Sequence, residues 1–244
     1  MAHARILAGG LIASLLQLVL MGSAKADVPE GVYVGVDGGL AWTSNLAYTT
    51  TYNCYAPPFY YPCGYQSYNA ITYDLGYAFG IQLGYAFGGP RVELEYNYRT
   101  NNANTIATID GTQSATGSLS ARSLLVNVLY DFDTGSKWVP YIGLGLGAAD
   151  VTANSIHSSN ITASSGFLDG SSTKFAAQFI FGVEYQVSDK FGVFADWRGL
   201  WASSANFNYG YGCPAGSTTG CKATGTTSYD YWNGALDVGL RVRF

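Results

Sequence analysis

The last stretch of the chain, Trp232-Asn-Gly-Ala-Leu-Asp-Val-Gly-Leu-Arg-Val-Arg-Phe244, decides the fold. Apolar side chains occupy alternate positions from Leu236 to Phe244, and Asp237, Arg241 and Arg243 lie on the other face. This period of two predicts a β-strand, because a helix would mix the arginines with the valines. In a membrane barrel the apolar face of such a strand meets lipid and the polar face lines the interior. In a soluble sandwich the apolar face would cover a core instead.

Seven earlier segments alternate in the same way. They cover residues 32–42, 75–87, 91–99, 119–132, 138–148, 174–187 and 191–201. All of them can reach the length of about 9–11 residues that crosses a bilayer when the strand is tilted. Leu125 and Leu129 break the pattern by adding apolar side chains to an inward face. The pattern predicts an all-β fold, an eight-stranded antiparallel up-and-down transmembrane β-barrel.

The connections between these segments alternate in length. Short turns lie at 88–90, 133–137 and 188–190, and they carry the Gly, Pro and Asp residues of hairpin turns. Long connections, rich in Ser, Thr, Asn, Gly and Tyr, lie at about 43–74, 100–118, 149–173 and 202–230. This alternation matches the short periplasmic turns and long external loops of bacterial barrels. A secreted soluble barrel is the alternative, although it has no reason to place its long loops at one end.

The first 26 residues are typical of a secretory signal. Arg5 precedes an apolar run over 6–21, and Ala24-Lys25-Ala26 supplies a small-x-small cleavage pattern. We therefore expect cleavage after Ala26, which leaves residues 27–244 as the barrel domain. A retained membrane anchor is the competing interpretation, but the run is short against the about 20 residues that a spanning helix needs.

Composition limits the classes of function. Charged residues make up 11% of the chain, against roughly 25% in soluble domains. The formal net charge of −4 becomes −6 when Arg5 and Lys25 leave with the signal, so no nucleic-acid partner is expected. An exported chain with few charges, many aromatic residues and no apolar run long enough for a membrane helix indicates a membrane barrel.

Four stretches carry a family resemblance: 31–39 (GVYVGVDGG), 92–96 (VELEY), 140–147 (PYIGLGLG) and 236–244 (LDVGLRVRF). In this order they resemble the eight-stranded outer-membrane barrels that include opacity-type surface antigens, the OmpA membrane domain and the alphaproteobacterial "porin family". The resemblance implies an outer-membrane location, with membrane lipid and lipopolysaccharide as surroundings. It also implies that Leu240, Val242 and Phe244 form the terminal signal that the barrel-assembly machinery reads. Because Phe244 ends the chain, we expect no cell-wall-binding domain like the one that follows the barrel in OmpA.

The predicted interior holds the candidate functional residues. By strand parity, eleven charged residues face inward: Asp37, Glu93, Glu95, Arg99, Asp131, Glu184, Asp196, Arg198, Asp237, Arg241 and Arg243. Eight strands leave an interior just wide enough for side chains to fill, and isolated buried charge is costly. One interpretation is therefore a packed network of ion pairs. The other is a narrow charged pore, with room beside inward glycines such as Gly80, Gly84, Gly143, Gly145 and Gly147.

The long connections hold four cysteines and one histidine. Cys54 and Cys63 share the first connection, and Cys213 and Cys221 share the fourth. In an oxidising compartment we expect disulfides, with pairing inside each connection favoured over cross-pairing or a metal site. His157 lies among Ser155, Ser158 and Ser159, where Ser–His chemistry competes with a simply solvated side chain.

These observations predict a non-enzymatic integral outer-membrane barrel without a cofactor. It would support the envelope and display its loops as an antigen or adhesin, with a host or surface ligand as the possible partner. The tyrosine-rich first connection, with Tyr, Ser, Asn and Gly, has the composition of adaptable binding loops. The alternative function is a narrow diffusion channel for small polar solutes.

Overall fold

The computed structural model describes residues 30–52, 65–108, 111–158, 167–211 and 223–244, and these residues form ten strands. The strands are β1 (Glu30–Thr43), β2 (Leu46–Tyr52), β3 (Tyr65–Tyr73), β4 (Gly76–Phe87), β5 (Pro90–Thr108), β6 (Gly111–Asp131), β7 (Trp138–Ser158), β8 (Phe167–Ser188), β9 (Phe191–Tyr211) and β10 (Ala223–Arg243). In this part of the chain, no helix has the length and apolar character needed to cross a membrane.

Eight of these strands close a ring. β1 pairs with β4, each strand from β4 to β10 pairs with the next, and β10 pairs with β1. Every pairing is antiparallel, and Val34 opposite Val242 exemplifies the register that closes the barrel. The eight-stranded up-and-down barrel predicted from the alternation is therefore confirmed. β2 and β3 form an additional hairpin that joins the sheet through the far end of β5.

The short turns lie together at one end of the barrel, which we call the turn end. They connect β4 to β5, β6 to β7 and β8 to β9, at the places that the sequence predicts. Gly88, Gly89 and Gly135 have positive φ angles of 76°, 142° and 64°, a conformation that favours glycine. Aromatic pairs surround this end on the outside: Tyr85 with Phe87, Tyr130 with Phe132, and Trp138 with Tyr185.

The strands are longer than predicted. β5 to β10 contain between 19 and 22 residues each, about twice the length that a bilayer requires. Much of each predicted long connection is strand: β7, for example, continues through 149–158, and β8 already begins at Phe167. The predicted loop boundaries are wrong, because Ser, Thr and Asn on the water-facing side of a strand have the composition of a loop.

The half of the barrel nearest the turn end is apolar outside and polar inside. We call it the belt half: residues 30–43, 75–100, 122–148, 175–201 and 232–244. Its exposed side chains are large and apolar, among them Val36, Leu40, Ile81, Leu83, Leu94, Val126, Val128, Leu144, Leu146, Phe179, Phe181, Leu236, Val238 and Leu240. Trp42, Trp201 and Trp232 lie at the edge of the belt half that is farthest from the turn end. Trp201 and Trp232 contact each other.

The other half, which we call the loop half, has the opposite polarity. It comprises 44–52, 65–74, 101–108, 111–121, 149–158, 167–174, 202–211 and 223–231. A buried apolar cluster fills it and extends across the boundary: Leu46, Ile71, Ala103, Ile106, Ala115, Leu119, Ala121, Leu125, Ala149, Val151, Ala153, Ile156, Leu168, Ala176, Leu200, Ala202, Ala205, Phe207 and Tyr231. Its exposed side chains are polar, including Thr116, Asn154, Ser171, Thr173, Asn206, Asn208, Ser228 and Asp230.

Candidate functional site: the barrel interior

All eleven charged residues assigned to the interior by parity lie there, and none is more than 5% exposed. Arg91, which is not among these eleven predicted residues, joins them with 1% exposure. Arg91 has the parity of Glu93 but directly follows Pro90 of the predicted turn. Since the predicted segment 91–99 already begins at Arg91, the alternation alone is enough to place this side chain inside.

A first layer of charges lies near the turn end. Arg91 Nε is 3.2 Å from Asp131 Oδ1, and Arg91 Nη1 is 3.7 Å from Glu184 Oε2. Arg241 and Arg243 both donate to the Glu184 carboxylate from the opposite wall. One glutamate therefore connects arginines of β5 and β10 across the lumen.

Aromatic rings fill the space around these arginines. The Arg241 guanidinium carbon lies 4.9 Å from the centre of the Tyr33 ring and 4.7 Å from that of Phe194. Arg91 lies 4.7 Å from the centre of the Tyr141 ring. Such stacking is favourable where the cation is removed from water. Tyr33 and Tyr141 have the strand parity of inward residues, but the alternation gives no indication that they stack on arginines.

A second, central layer is organised by Arg198. Its Nε and Nη2 donate to the two oxygens of Asp196, each at 3.0 Å. Its Nη1 lies 2.8 Å from Glu95 Oε1, and its Nη2 lies 3.4 Å from Asp37 Oδ2. A single guanidinium therefore holds three carboxylates from three different strands.

Amide side chains complete the central layer and join it to the first. Asn127 Nδ2 donates to Glu95 of the central layer at 2.6 Å and to Glu93 of the first layer at 2.8 Å, and Glu93 also accepts from the Tyr33 hydroxyl at 2.7 Å. Gln178 Nε2 donates to Glu95 at 2.8 Å, and its Oε1 accepts from Arg99 at 2.9 Å. Strand parity places these amide residues inside as well, although only charged residues are among the predicted candidates for the interior network.

The inward glycines lie close to atoms of neighbouring strands. A Cβ added to Gly84 would lie 2.4 Å from Cζ of Tyr33, and one added to Gly145 would lie 2.0 Å from Oδ1 of Asn127. Large side chains from neighbouring strands therefore lie over these glycines. The inward glycines therefore give room to the side chains of the network.

On the side of the charged layers away from the turn end, the apolar cluster of the loop half fills the interior. Leu119 and Val151 are both fully buried in it. Tyr73 and Tyr229 pack against it, and burial raises the pKa of each phenol above its usual value. Both phenols therefore remain neutral at ordinary pH.

Other predicted site residues lie outside the interior or outside the described residues. Leu240, Val242 and Phe244 are exposed on the outer face at the turn end, and Phe244 is 77% exposed. The predicted signal peptide over 1–26 lies outside the described ranges. So do the four cysteines, Cys54, Cys63, Cys213 and Cys221.

His157 contacts the hydroxyl of a threonine and the backbone of a neighbouring serine. Its Nε2 lies 3.0 Å from Thr116 Oγ1, and its Nδ1 lies 2.7 Å from the Ser155 carbonyl oxygen. Ser158 Oγ donates to Gln113 Oε1 at 2.6 Å. The Ser–His alternative therefore finds no support in the hydrogen bonds of Ser155 and Ser158, and Ser159 is not described.

Comparison with known proteins bears on this geometry. A family described as "Outer membrane protein beta-barrel domain" matches residues 12–244. A search of curated proteins finds no match.

Solved structures similar to the chain are barrels. The outer membrane protein OprG of Pseudomonas aeruginosa is 16% identical, with 91% of this chain and 99% of that chain covered and a TM-score of 0.53. Neisserial surface protein A is 18% identical, with 88% and 97% covered and a TM-score of 0.50. The outer membrane protease OmpT of Escherichia coli is 8% identical, with 90% and 98% covered and a TM-score of 0.50. At these identities the likeness concerns the fold alone.

Proposed function

Because this chain belongs to the outer membrane β-barrel family and lies in the outer membrane, we propose that it is a closed, non-enzymatic barrel that displays its loops at the cell surface. The observation that carries this proposal is the double filling of the interior. Charged layers with stacked aromatic rings fill the belt half, and an apolar cluster fills the loop half. A conducting path would have to pass both.

The loop half supports the display part of the proposal. β7 continues from Ala149 to Ser158 beyond the belt half. Strand residues advance about 3.3 Å each, and at a tilt of about 40° this extension rises roughly 25 Å. The connections are therefore carried on a rigid, water-facing barrel, well above the lipid surface, where an external ligand could reach them.

Several partners belong to this proposal. The barrel-assembly machinery would read Leu240, Val242 and Phe244, whose exposure at the turn end suits an external contact. Residues 1–26 would direct export and be removed after Ala26. Lipopolysaccharide would surround the edge of the belt half that is farthest from the turn end, and a host or surface ligand would contact the connections above the loop half.

The absence of an enzymatic role is also a proposal. OmpT is a protease by name, but a shared fold transfers no activity. The Thr116–His157 contact lies on an exposed outer face, and a single threonine–histidine hydrogen bond does not supply the oriented base and nucleophile that such chemistry needs.

Single-channel recording of the refolded full chain in planar bilayers tests the proposal. We expect no unit conductance steps, because both fillings block ion passage. The double variant Phe207→Ala and Arg198→Ala is the positive control. It removes one large side chain from each filling, and it checks that the recording can detect an opened barrel. Reproducible unit steps from the wild-type barrel would overturn the closed-barrel proposal and favour the diffusion channel.

A tag experiment tests display separately. A tag inserted at Gly111, where β6 begins in the loop half, should be labelled by antibody on intact cells. The same tag at Gly135, between β6 and β7, should be labelled after the outer membrane is opened. Labelling at Gly135 on intact cells would contradict the orientation.

A further inference from the structure

The charges of the central layer do not balance. Among the described residues, the interior holds seven buried acids and five buried arginines. The layer at the turn end contains three of each, namely Arg91, Arg241, Arg243, Glu93, Asp131 and Glu184. The central layer contains Arg99 and Arg198 against Asp37, Glu95, Asp196 and Asp237. The whole excess of two negative charges therefore lies in the central layer.

Asp237 is the acid of this layer that has neither a hydrogen bond nor an ion pair among the described residues. Its side chain is fully buried, and neither carboxylate oxygen accepts a hydrogen bond from any described residue. It lies directly opposite Asp196 of β9, whose carboxylate is occupied by Arg198. The hydrogen bonds of Arg99 go to neutral acceptors, among them Asn97 and Gln178.

Further unpartnered oxygens lie nearby. Asp37 Oδ2 accepts from Gln82 Nε2, whereas Asp37 Oδ1 and Gln82 Oε1 have no hydrogen-bond donor among the described residues. Asp237 pairs with Gly39 of β1, two residues along the inward face from Asp37. Diagonal neighbours of this kind have Cα atoms about 7–8 Å apart, so one small ion can contact both carboxylates.

We infer that a divalent, oxygen-seeking cation of the Ca²⁺ type binds between Asp37 and Asp237. Such a cation supplies the two missing positive charges, and it takes carboxylate, amide and water oxygens in flexible geometry. Mg²⁺ suits the site less, since it demands near-ideal octahedral geometry and loses water reluctantly. No three acidic, histidine or cysteine side chains of the described ranges converge as ligands. The remaining ligands are therefore amide oxygens, with Gln82 Oε1 as the first candidate, and water.

The surroundings make this a structural ion. The arginine layer lies between the site and the turn end, and the apolar cluster lies between the site and the loop half. A cation cannot easily pass either. It would enter while the barrel closes during folding and remain trapped afterwards.

Metal analysis of the full-length barrel tests the inference. The wild-type chain is refolded in detergent with CaCl₂ as the added metal, passed over a chelating resin, and its calcium is measured by mass spectrometry. We expect one equivalent of calcium in the wild type and none in Asp237→Asn, which keeps the shape of the side chain and removes its charge. Folding of each variant is checked by the mobility shift between unheated and heated samples on a gel.

Asp131→Asn provides the matched control. It removes one acid from the balanced layer at the turn end and should retain the calcium. The urea midpoint of the wild type should rise when CaCl₂ replaces choline chloride at equal ionic strength during refolding, and that of Asp237→Asn should not. A wild-type barrel without calcium, or an Asp237→Asn barrel that keeps it, would overturn the site. If the urea midpoint of Asp237→Asn exceeds that of the wild type in both CaCl₂ and choline chloride, a proton rather than a cation neutralises Asp237.

Discussion

The belt half and the loop half share the same strands but reverse their chemistry. On β7, Leu144 faces outward in the belt half and is 63% exposed, whereas the outward position eight residues later is Thr152. Inside, the small Gly145 gives way to the fully buried Val151. The alternation continues without a change of parity through this part of β7, so the backbone pattern does not depend on the surroundings.

This reversal of polarity shows which interactions stabilise each half of the barrel. In lipid, apolar side chains lose nothing by facing outward, and the interior is free to hold polar groups that satisfy one another. In water, apolar burial is the main favourable contribution, so the apolar side chains turn inward. The belt half is therefore stabilised by its ladder and its internal ion pairs, and the loop half by the packing of a small hydrophobic core.

The largest loss of stability should come from a substitution at the centre of the belt half. Arg198→Ala leaves the carboxylates of Asp37, Glu95 and Asp196 buried without their common partner. Breaking a buried ion pair typically costs about 3–5 kcal/mol, and we expect a loss of unfolding free energy of that size in urea titrations. Arg122→Ala is the matched control, because Arg122 faces outward and its removal should change stability by at most about 0.5 kcal/mol. Equal effects would mean that the interior charges do not support the belt half.

Arginine substitutions on the outer face of β7 should separate the halves directly. Leu144→Arg places a charge in the lipid-facing belt, where the cost is about 2–4 kcal/mol near the bilayer midplane. Thr152→Arg places it on a water-facing strand, where about 0.5 kcal/mol or less is expected. Urea unfolding of both variants in lipid vesicles gives the difference. A similar cost at the two positions would remove the distinction between the halves.

The belt half could be predicted from the sequence, whereas most of the loop half could not. Parity put Asp37, Glu95 and Asp196 inside, because alternation fixes the face of each residue without any tertiary information. It could not show that Arg198 holds all three, since their heights in the barrel depend on register between strands distant in sequence. It missed the strands of the loop half because Ser, Thr and Asn on a water-facing strand have the composition of a loop.

A smaller loss of stability should follow when one hydroxyl is introduced into the core of the loop half. Val151→Thr keeps the shape of the side chain but buries an oxygen among apolar neighbours. An unsatisfied buried polar group costs about 1–3 kcal/mol, and the same urea titration should show this loss. The reverse change on the adjacent outward position, Thr152→Val, should stay within about 0.5 kcal/mol. A neutral Val151→Thr variant would indicate that water enters the loop half.

The smallest effect on the barrel should come from reducing the predicted disulfides Cys54–Cys63 and Cys213–Cys221. Disulfides typically contribute about 2–4 kcal/mol in soluble proteins, but the strand ladder already closes this barrel. Reduction should leave the urea midpoint unchanged and speed proteolysis between β2 and β3 and between β9 and β10. Mass mapping of the unreduced protein checks the pairing, and a Cys54–Cys213 bond or four free thiols would refute it.

The most direct measurement of the reversal is a spin-label scan along the outward positions of β7. Labels at Leu144, Leu146, Thr152 and Asn154, each in a chain without the native cysteines, report contact with oxygen in lipid or with a polar relaxation agent in water. We predict oxygen contact at Leu144 and Leu146, and contact with the polar agent at Thr152 and Asn154. Oxygen-dominated contact at Thr152 and Asn154 would contradict the account, because the loop half would then lie in lipid with its polar face outward.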